Sequence, residues 1–191
     1  MMSRNICLIG MMGAGKSTVA SLLGDRLGRR VGDTDGEIRS WTDKSIPDLF
    51  LEHGEEGFRE LERHVIEELA TFHDLVLSLG GGAVLRDDNV ASLMLTGVIV
   101  HLDVPVEDLV ARLQDGGADD RPLLGGPGGT TQELLERLRA TSEARAPRYR
   151  EVADVTIDTS GDPAEVAEEI IAWALSQKDV LTPSEHEQVM N

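Results

Sequence analysis

The chain has 191 residues, a formal net charge of −17 at pH 7 and a sequence pI near 4.5. That balance argues against a nucleic-acid binder, which would carry a basic face. It also opposes any anionic ligand unless a local cluster of cations and backbone N–H groups overcomes the overall field. Hydrophobic residues make up 40 % and aromatics only 3 %, so one globular domain is expected, with a core resting on Leu, Val, Ile and Ala.

The first residues, Met1-Met2-Ser3-Arg4, carry one positive charge before a short apolar stretch that ends at Lys16. No small-residue cleavage site follows in signal-peptide register, and no run approaches the ~18 apolar residues of a membrane span. A cytoplasmic protein with no membrane attachment is the expectation. The single cysteine, Cys7, lies inside Ile6-Cys7-Leu8-Ile9 and reads as a buried, inert thiol with no disulfide partner.

Asn5–Gly10 reads as a buried strand and Lys16–Leu27 as a helix, with Val19, Leu22, Leu23 and Leu27 on one stripe and Gly28 just past its end. Between them Gly10-Met11-Met12-Gly13-Ala14-Gly15-Lys16-Ser17 matches the phosphate-binding pattern G-x-x-x-x-G-K-[ST] in the context it requires, strand before and helix after. Glycines let the backbone turn its N–H groups inward, and the helix N-terminus adds partial positive charge. Lys16 would bring a full charge to the β- and γ-phosphates, and Ser17 a hydroxyl to Mg²⁺. A nucleotide is therefore expected on Gly13, Ala14, Gly15, Lys16, Ser17 and Thr18. The Asn-Lys-x-Asp tetrapeptide that reads guanine in switch GTPases does not occur.

A strand-like segment near Val31 leads to Asp33-Thr34-Asp35, which could serve a metal and a substrate hydroxyl or simply cap a helix. Helical pattern follows across 37–41 and 46–53, and again through Phe58, Leu61, Val65, Ile66 and Leu69. On that helix Arg59, Glu62 and Arg63 share a face, as a binding site or as a surface ion-pair ladder. A second buried strand, Leu75–Leu79, ends at Gly80-Gly81-Gly82, where backbone could approach a ligand closely, or where the chain merely turns. A third strand, Val98–Leu102, precedes a helix over Val106–Leu113.

Asp115–Thr130 holds six glycines and two prolines around Arg121-Pro122-Leu123-Leu124. It reads as a mobile lid carrying one charge, or as a solvated loop. Arg145 continues a helical stripe of Leu134, Leu138 and Thr141, where an inward guanidinium needs an anion from a substrate or from the chain. A last strand over Val152–Ile157 and a last helix over Pro163–Leu175 follow, and the polar 177–191 segment is expected to be a disordered tail beyond a domain spanning 1–176. Strands separated by helices imply a parallel, helix-covered sheet of α/β class.

In this order the motifs resemble the shikimate kinase family: Gly-x-x-Gly-x-Gly-Lys-Ser-Thr at 10–18, Asp-Thr-Asp at 33–35, Phe-Arg-x-x-Glu at 58–62, Gly-Gly-Gly-Ala at 80–83, Arg-Pro-Leu-Leu at 121–124 and Arg-Ala-Pro-x-Tyr at 145–149. The resemblance implies a P-loop, nucleoside-monophosphate-kinase-like fold with a five-stranded parallel sheet in the order 2-3-1-4-5. It implies ATP-dependent phosphorylation of shikimate in aromatic amino acid biosynthesis, by a monomer. Carried onto this chain, it places Mg²⁺ on Ser17 and, through water, Asp33. It places shikimate on Asp35, Arg59, Gly81 and Arg145, and makes Lys16, Asp35 and Arg121 catalytic. Around adenine it implies Arg112, while Asp158-Thr159-Ser160-Gly161-Asp162 departs from the pattern in lacking a basic residue. Another small-molecule P-loop kinase such as a gluconate kinase is the alternative. A regulator that kept the fold and lost activity would be expected to have lost Lys16, Asp35 or Arg121.

Overall fold

The structure, a computed structural model, describes residues 3–115 and 130–190. Five strands form one parallel sheet: β1 (Asn5–Ile9), β2 (Arg30–Asp33), β3 (Leu75–Ser78), β4 (Gly97–Asp103) and β5 (Val155–Asp158), in the order β2-β3-β1-β4-β5. This is the implied order. β1 pairs with β3 on one side and β4 on the other, while β2 and β5 take the edges. Every residue of β1 and β3 is buried. Covered on both faces, such strands read as continuous apolar runs rather than alternating ones.

Eight helices connect and cover the sheet among the described residues: α1 (Lys16–Leu27), α2 (Thr34–Thr42), α3 (Ile46–Leu69), α4 (Asp87–Thr96), α5 (Val106–Asp115), α6 (Thr131–Val152), α7 (Pro163–Ser176) and α8 (Pro183–Met190). The two apolar stretches expected over 46–53 and 58–69 are one element, kinked at Gly54, whose φ of 70° and ψ of −177° interrupt the helix. The apolar faces of α2 and α3 meet in a small core of their own, Ile38, Leu49, Phe58 and Val65, with Phe50 and Phe58 stacked at 4.5 Å. The acceptor-side helices thus pack on each other and join the main core through Ile66, which is fully buried in it, and Leu69.

Two sequence expectations are corrected here, and one helix joins those expected. α4 carries no strong stripe to announce it, with Asp87 and Asp88 in its first turn and Val90 and Leu93 on its buried side. The last strand begins at Val155, because Val152 closes α6 and is buried there from a helix; an isolated apolar residue has no period by which to tell the two apart. Residues 177–190 are also not a disordered tail. Val180 and Leu181 are buried, and the Arg4 N–H donates to the Asp179 carbonyl at 3.0 Å. Thr182 and Glu185 cap α8 reciprocally, the Glu185 N–H reaching Thr182 Oγ1 at 3.2 Å and the Thr182 N–H reaching Glu185 Oε2 at 2.6 Å. Arg29 and Glu185, both buried, form an ion pair at 2.6 Å that pins α8 to the start of β2.

Candidate active site

The carboxyl ends of β1, β2 and β3 open into a cleft of about 1130 Å³, the edge at which open α/β sheets bind ligands. The loop leaving β1 reaches α1 through Gly15, its N-cap, at φ 89° in the left-handed region. Lys16 Nζ donates to the carbonyls of Gly10 at 3.0 Å and Met11 at 2.9 Å, so the ammonium lies back over the loop. Gly13, Gly15, Lys16, Ser17 and Thr18 line the cleft. Ala14 does not: its side chain is fully buried and its N–H donates to the Met11 carbonyl at 3.1 Å.

Asp33 ends β2 and its two oxygens do different work. Oδ1 accepts from the Gly36 N–H at 2.9 Å and caps α2, while Oδ2 accepts from the Ser17 hydroxyl at 3.0 Å. The Ser17 hydroxyl also lies 3.2 Å from that of Ser78 on β3. The helix cap expected of the Asp-Thr-Asp run is thus present, and the same carboxylate also reaches the Ser17 hydroxyl of the phosphate loop. Among the described residues no three His, Cys, Asp or Glu side chains gather as metal ligands. A single carboxylate beside a hydroxyl at a phosphate loop is an oxygen set that fits Mg²⁺, which keeps several waters and takes nucleotide oxygens for the rest.

Across the cleft, Gly80-Gly81-Gly82 is packed from three sides by side chains that the sequence scatters widely. A Cβ on Gly80 would run into Glu62 Oε1 and sit 3.4 Å from Asp35 Oδ1; one on Gly82 would run into the Arg59 guanidinium. Any side chain at these positions would displace the groups the turn presents. Arg145 Nη1 donates to the Gly81 carbonyl at 3.1 Å, and the Tyr149 hydroxyl donates to the same oxygen at 2.5 Å. Asp35, Arg59, Gly81 and Arg145 accordingly share one cavity with the phosphate loop, as their sequence assignment requires.

The ion-pair ladder on α3 is real but not superficial. Arg59 Nη1 donates to Glu62 Oε2 at 3.0 Å and Nη2 to Glu55 Oε1 at 3.2 Å. Glu62 is fully buried, and its Oε1 has no hydrogen-bond partner among the described residues. Burial pushes its carboxyl above the ordinary range, against the pull of Arg59, with the Asp35 charge adding to the upward push. The sequence left Glu62 open between a binding site and a surface ladder. Its signal was spacing: it lies three residues before Val65 and four after Phe58, both buried. Behind the cleft, His101 packs against Tyr149 with ring centroids 5.0 Å apart, and burial lowers its pKa, helped by Arg150 and Lys16 and opposed by Asp103.

On the nucleotide side, Arg112 lines the cleft and donates to the Thr159 carbonyl, its guanidinium 3.9 Å from where a Cβ on Gly15 would sit. It bridges the phosphate loop to the turn before α7, whose Gly161 and Pro163 form part of the same wall. Arg121, and nearly all of the segment expected as a lid, lie outside the described residues.

A family model described as shikimate kinase matches residues 12–175. A shikimate kinase of Pseudomonas entomophila is 44 % identical over 160 residues, covering 84 % of this chain and 89 % of its own. One from Symbiobacterium thermophilum is 43 % identical over 155 residues, covering 81 % and 86 %. Among solved structures, the shikimate kinase of Acinetobacter baumannii in complex with shikimate superimposes with a TM-score of 0.84 at 39 % identity, covering 92 % of this chain and 95 % of its own.

Proposed function

The chain belongs to the shikimate kinase family, and from that premise we propose how its residues move the terminal phosphoryl group of ATP onto a hydroxyl of shikimate, yielding ADP and shikimate 3-phosphate. The observation that carries the reading is the pair Arg59 and Arg145. They come from helices far apart in sequence, flank one glycine turn, and share a cavity with the phosphate loop. Two guanidiniums so placed suit a planar carboxylate held a fixed distance from a phosphoryl donor.

Gly13, Gly15 and Thr18 cradle the phosphates, and Lys16, already turned over the loop, neutralises charge on the β- and γ-oxygens. Ser17 and Asp33 would hold Mg²⁺, whose charge when bound would offset that developing on the transferred group. Asp35, within the first turn of α2 and facing Gly80, orients the attacking hydroxyl and takes its proton late. Gly81 offers backbone to the acceptor, and Glu62 holds Arg59 in the orientation the carboxylate needs. Arg112 borders the adenine. The part of Arg121 as a lid charge rests on the Arg-Pro-Leu-Leu motif alone.

All of these residues belong to one chain, so the site needs no second copy, and a monomer is the state proposed. No described helix is long and apolar enough to cross a membrane. ATP as co-substrate supports a cytoplasmic enzyme.

A coupled ADP-release assay with MgATP tests the acceptor. Shikimate should drive release, and quinate and gluconate should drive little. Equal or faster turnover with gluconate would move the chain to the gluconate kinases instead.

A further inference from the structure

Arg39 is a cation of the cleft that the scheme above leaves unused. It sits in α2 one turn after Asp35, lines the cavity beside Gly36 and Arg59, and is exposed. Every other cation lining that cavity has a partner within the chain. Lys16 donates to the Gly10 and Met11 carbonyls, Arg59 to Glu55 and Glu62, Arg112 to the Thr159 carbonyl and Arg145 to the Gly81 carbonyl. The Arg39 guanidinium enters no ion pair or side-chain hydrogen bond among the described residues. Seven of the described arginines form ion pairs, whereas Arg39 has neither a carboxylate nor a carbonyl partner for its guanidinium among the described residues.

Its direction follows from helix geometry. Side chains on a helix lean toward the N-terminus, which brings Nη2 of Arg39 to 4.0 Å from where a Cβ on Gly36 would sit, a point itself 3.5 Å from Asp33 Oδ1. The absent side chain at Gly36 leaves the guanidinium open to the cavity. Arg39 and the other lining residues of α2 and α3, among them Ile46, Phe50, Phe58 and Arg59, belong to the acceptor side of the cavity, whereas Arg112, Gly161 and Pro163 line its nucleotide side. It therefore faces the acceptor half, at the water-exposed rim.

We propose that Arg39 is the capture cation of the acceptor site. It attracts the carboxylate of the incoming acceptor against the field of a chain with a net charge of −17, and hands it to the deeper pair Arg59 and Arg145. A rim charge of this kind acts on encounter and on salt dependence, not on the chemical step. The inference rests on the acceptor assignment made above.

The test is steady-state kinetics of the wild type, Arg39→Gln and Arg150→Gln across a salt series. Arg150 is exposed, lies outside the cavity, and removes the same unit of charge. At an ionic strength of ~0.02 M, Arg39→Gln should raise the KM for shikimate about threefold, as expected of one charge acting over several ångströms of water, with kcat unchanged. The gap should close by ~0.5 M salt, where screening is effective within a few ångströms. Arg150→Gln should leave KM where it is, and the KM for MgATP should move less than that for shikimate in both variants.

An unaltered KM in Arg39→Gln at low salt overturns the inference alone. So does an equal shift in Arg150→Gln, which would make the effect one of net charge. A fall in kcat that persists at high salt overturns it too, because it would place Arg39 at the reacting groups. A wild type that turns over no shikimate at any salt overturns the acceptor assignment, and this inference with it.

Discussion

Asp33 and Asp35 lie two residues apart, yet helix capping aims them at different groups. Asp33 is fixed between Ser17 and the first turn of α2, whereas Asp35 lies inside that turn and faces Gly80. Asp33→Asn should shift the activity curve to higher Mg²⁺, with partial rescue by added metal. Asp35→Asn should stay inactive at any Mg²⁺ and should weaken shikimate binding by roughly 1.5–3 kcal/mol, the worth of a charge-assisted hydrogen bond. Metal titrations of both variants read this directly, and rescue of Asp35→Asn instead would exchange the roles. Glu62 offers a test by pH. A carboxyl held above its ordinary value of 4.5 favours the folded state below that pH, and that contribution is lost as pH rises through the folded value. Glu62→Gln does not titrate. Urea unfolding of the two proteins should therefore show the wild type losing ground to the variant as pH rises from about 4.5. A difference independent of pH would mean that Glu62 is not perturbed. The variant should also raise the KM for shikimate, since Arg59 loses its buried partner.

At the scale of elements, α8 is held mainly by one buried pair. Arg29 donates to Glu185 at 2.6 and 3.1 Å, and also to Ser3 Oγ and the carbonyls of Arg4 and Val180. Removing one partner of such a pair strands a buried charge, typically at 3–5 kcal/mol. Arg29 keeps three other acceptors, so Glu185→Ala should cost about 3 kcal/mol, the low end of that range. Burial pushes Glu185 up, but hydrogen bonds from Arg29 and the Thr182 N–H outweigh it and bring its pKa below the ordinary value. The sign is then opposite to that of Glu62: this stabilisation is complete above about pH 4.5 and is lost as pH falls through the folded value. Urea midpoints of wild type and Glu185→Ala should differ at pH 7 and converge in acid. Equal midpoints at pH 7 would show that α8 contributes nothing to the global fold.

For the molecule as a whole, a net charge of −17 implies self-repulsion in the compact state. Raising salt from ~0.01 to ~0.5 M shrinks the screening length from about 30 Å to a few ångströms. Relief of ~1 kcal/mol would raise Tm by roughly 2–4 °C for a chain of this size. A Tm that falls with added NaCl would mean that favourable surface pairs such as Arg26–Glu168 outweigh the repulsion. Much of this protein was legible in its residues. The apolar run of β1, the phosphate loop behind it and the stripe of α1 are local patterns, each set by a period of few residues. The carboxyl-edge position of the glycine turn follows from strand–helix alternation. The paired arginines and the strand order came through likeness of motifs, not through any local period. The Thr182–Glu185 capping box was also local and readable, but the polarity around it suggested a tail, because its stabilisation comes from Arg29, 156 residues away in the chain. Only the tertiary structure decided that Glu62 is buried, that Asp33 serves cap and cleft at once, and that Arg39 faces the cavity with no ion-pair partner among the described residues. Burial and pairing depend on what distant segments bring alongside a residue, and the cost or gain of a charge is set by that surrounding rather than by its neighbours in sequence.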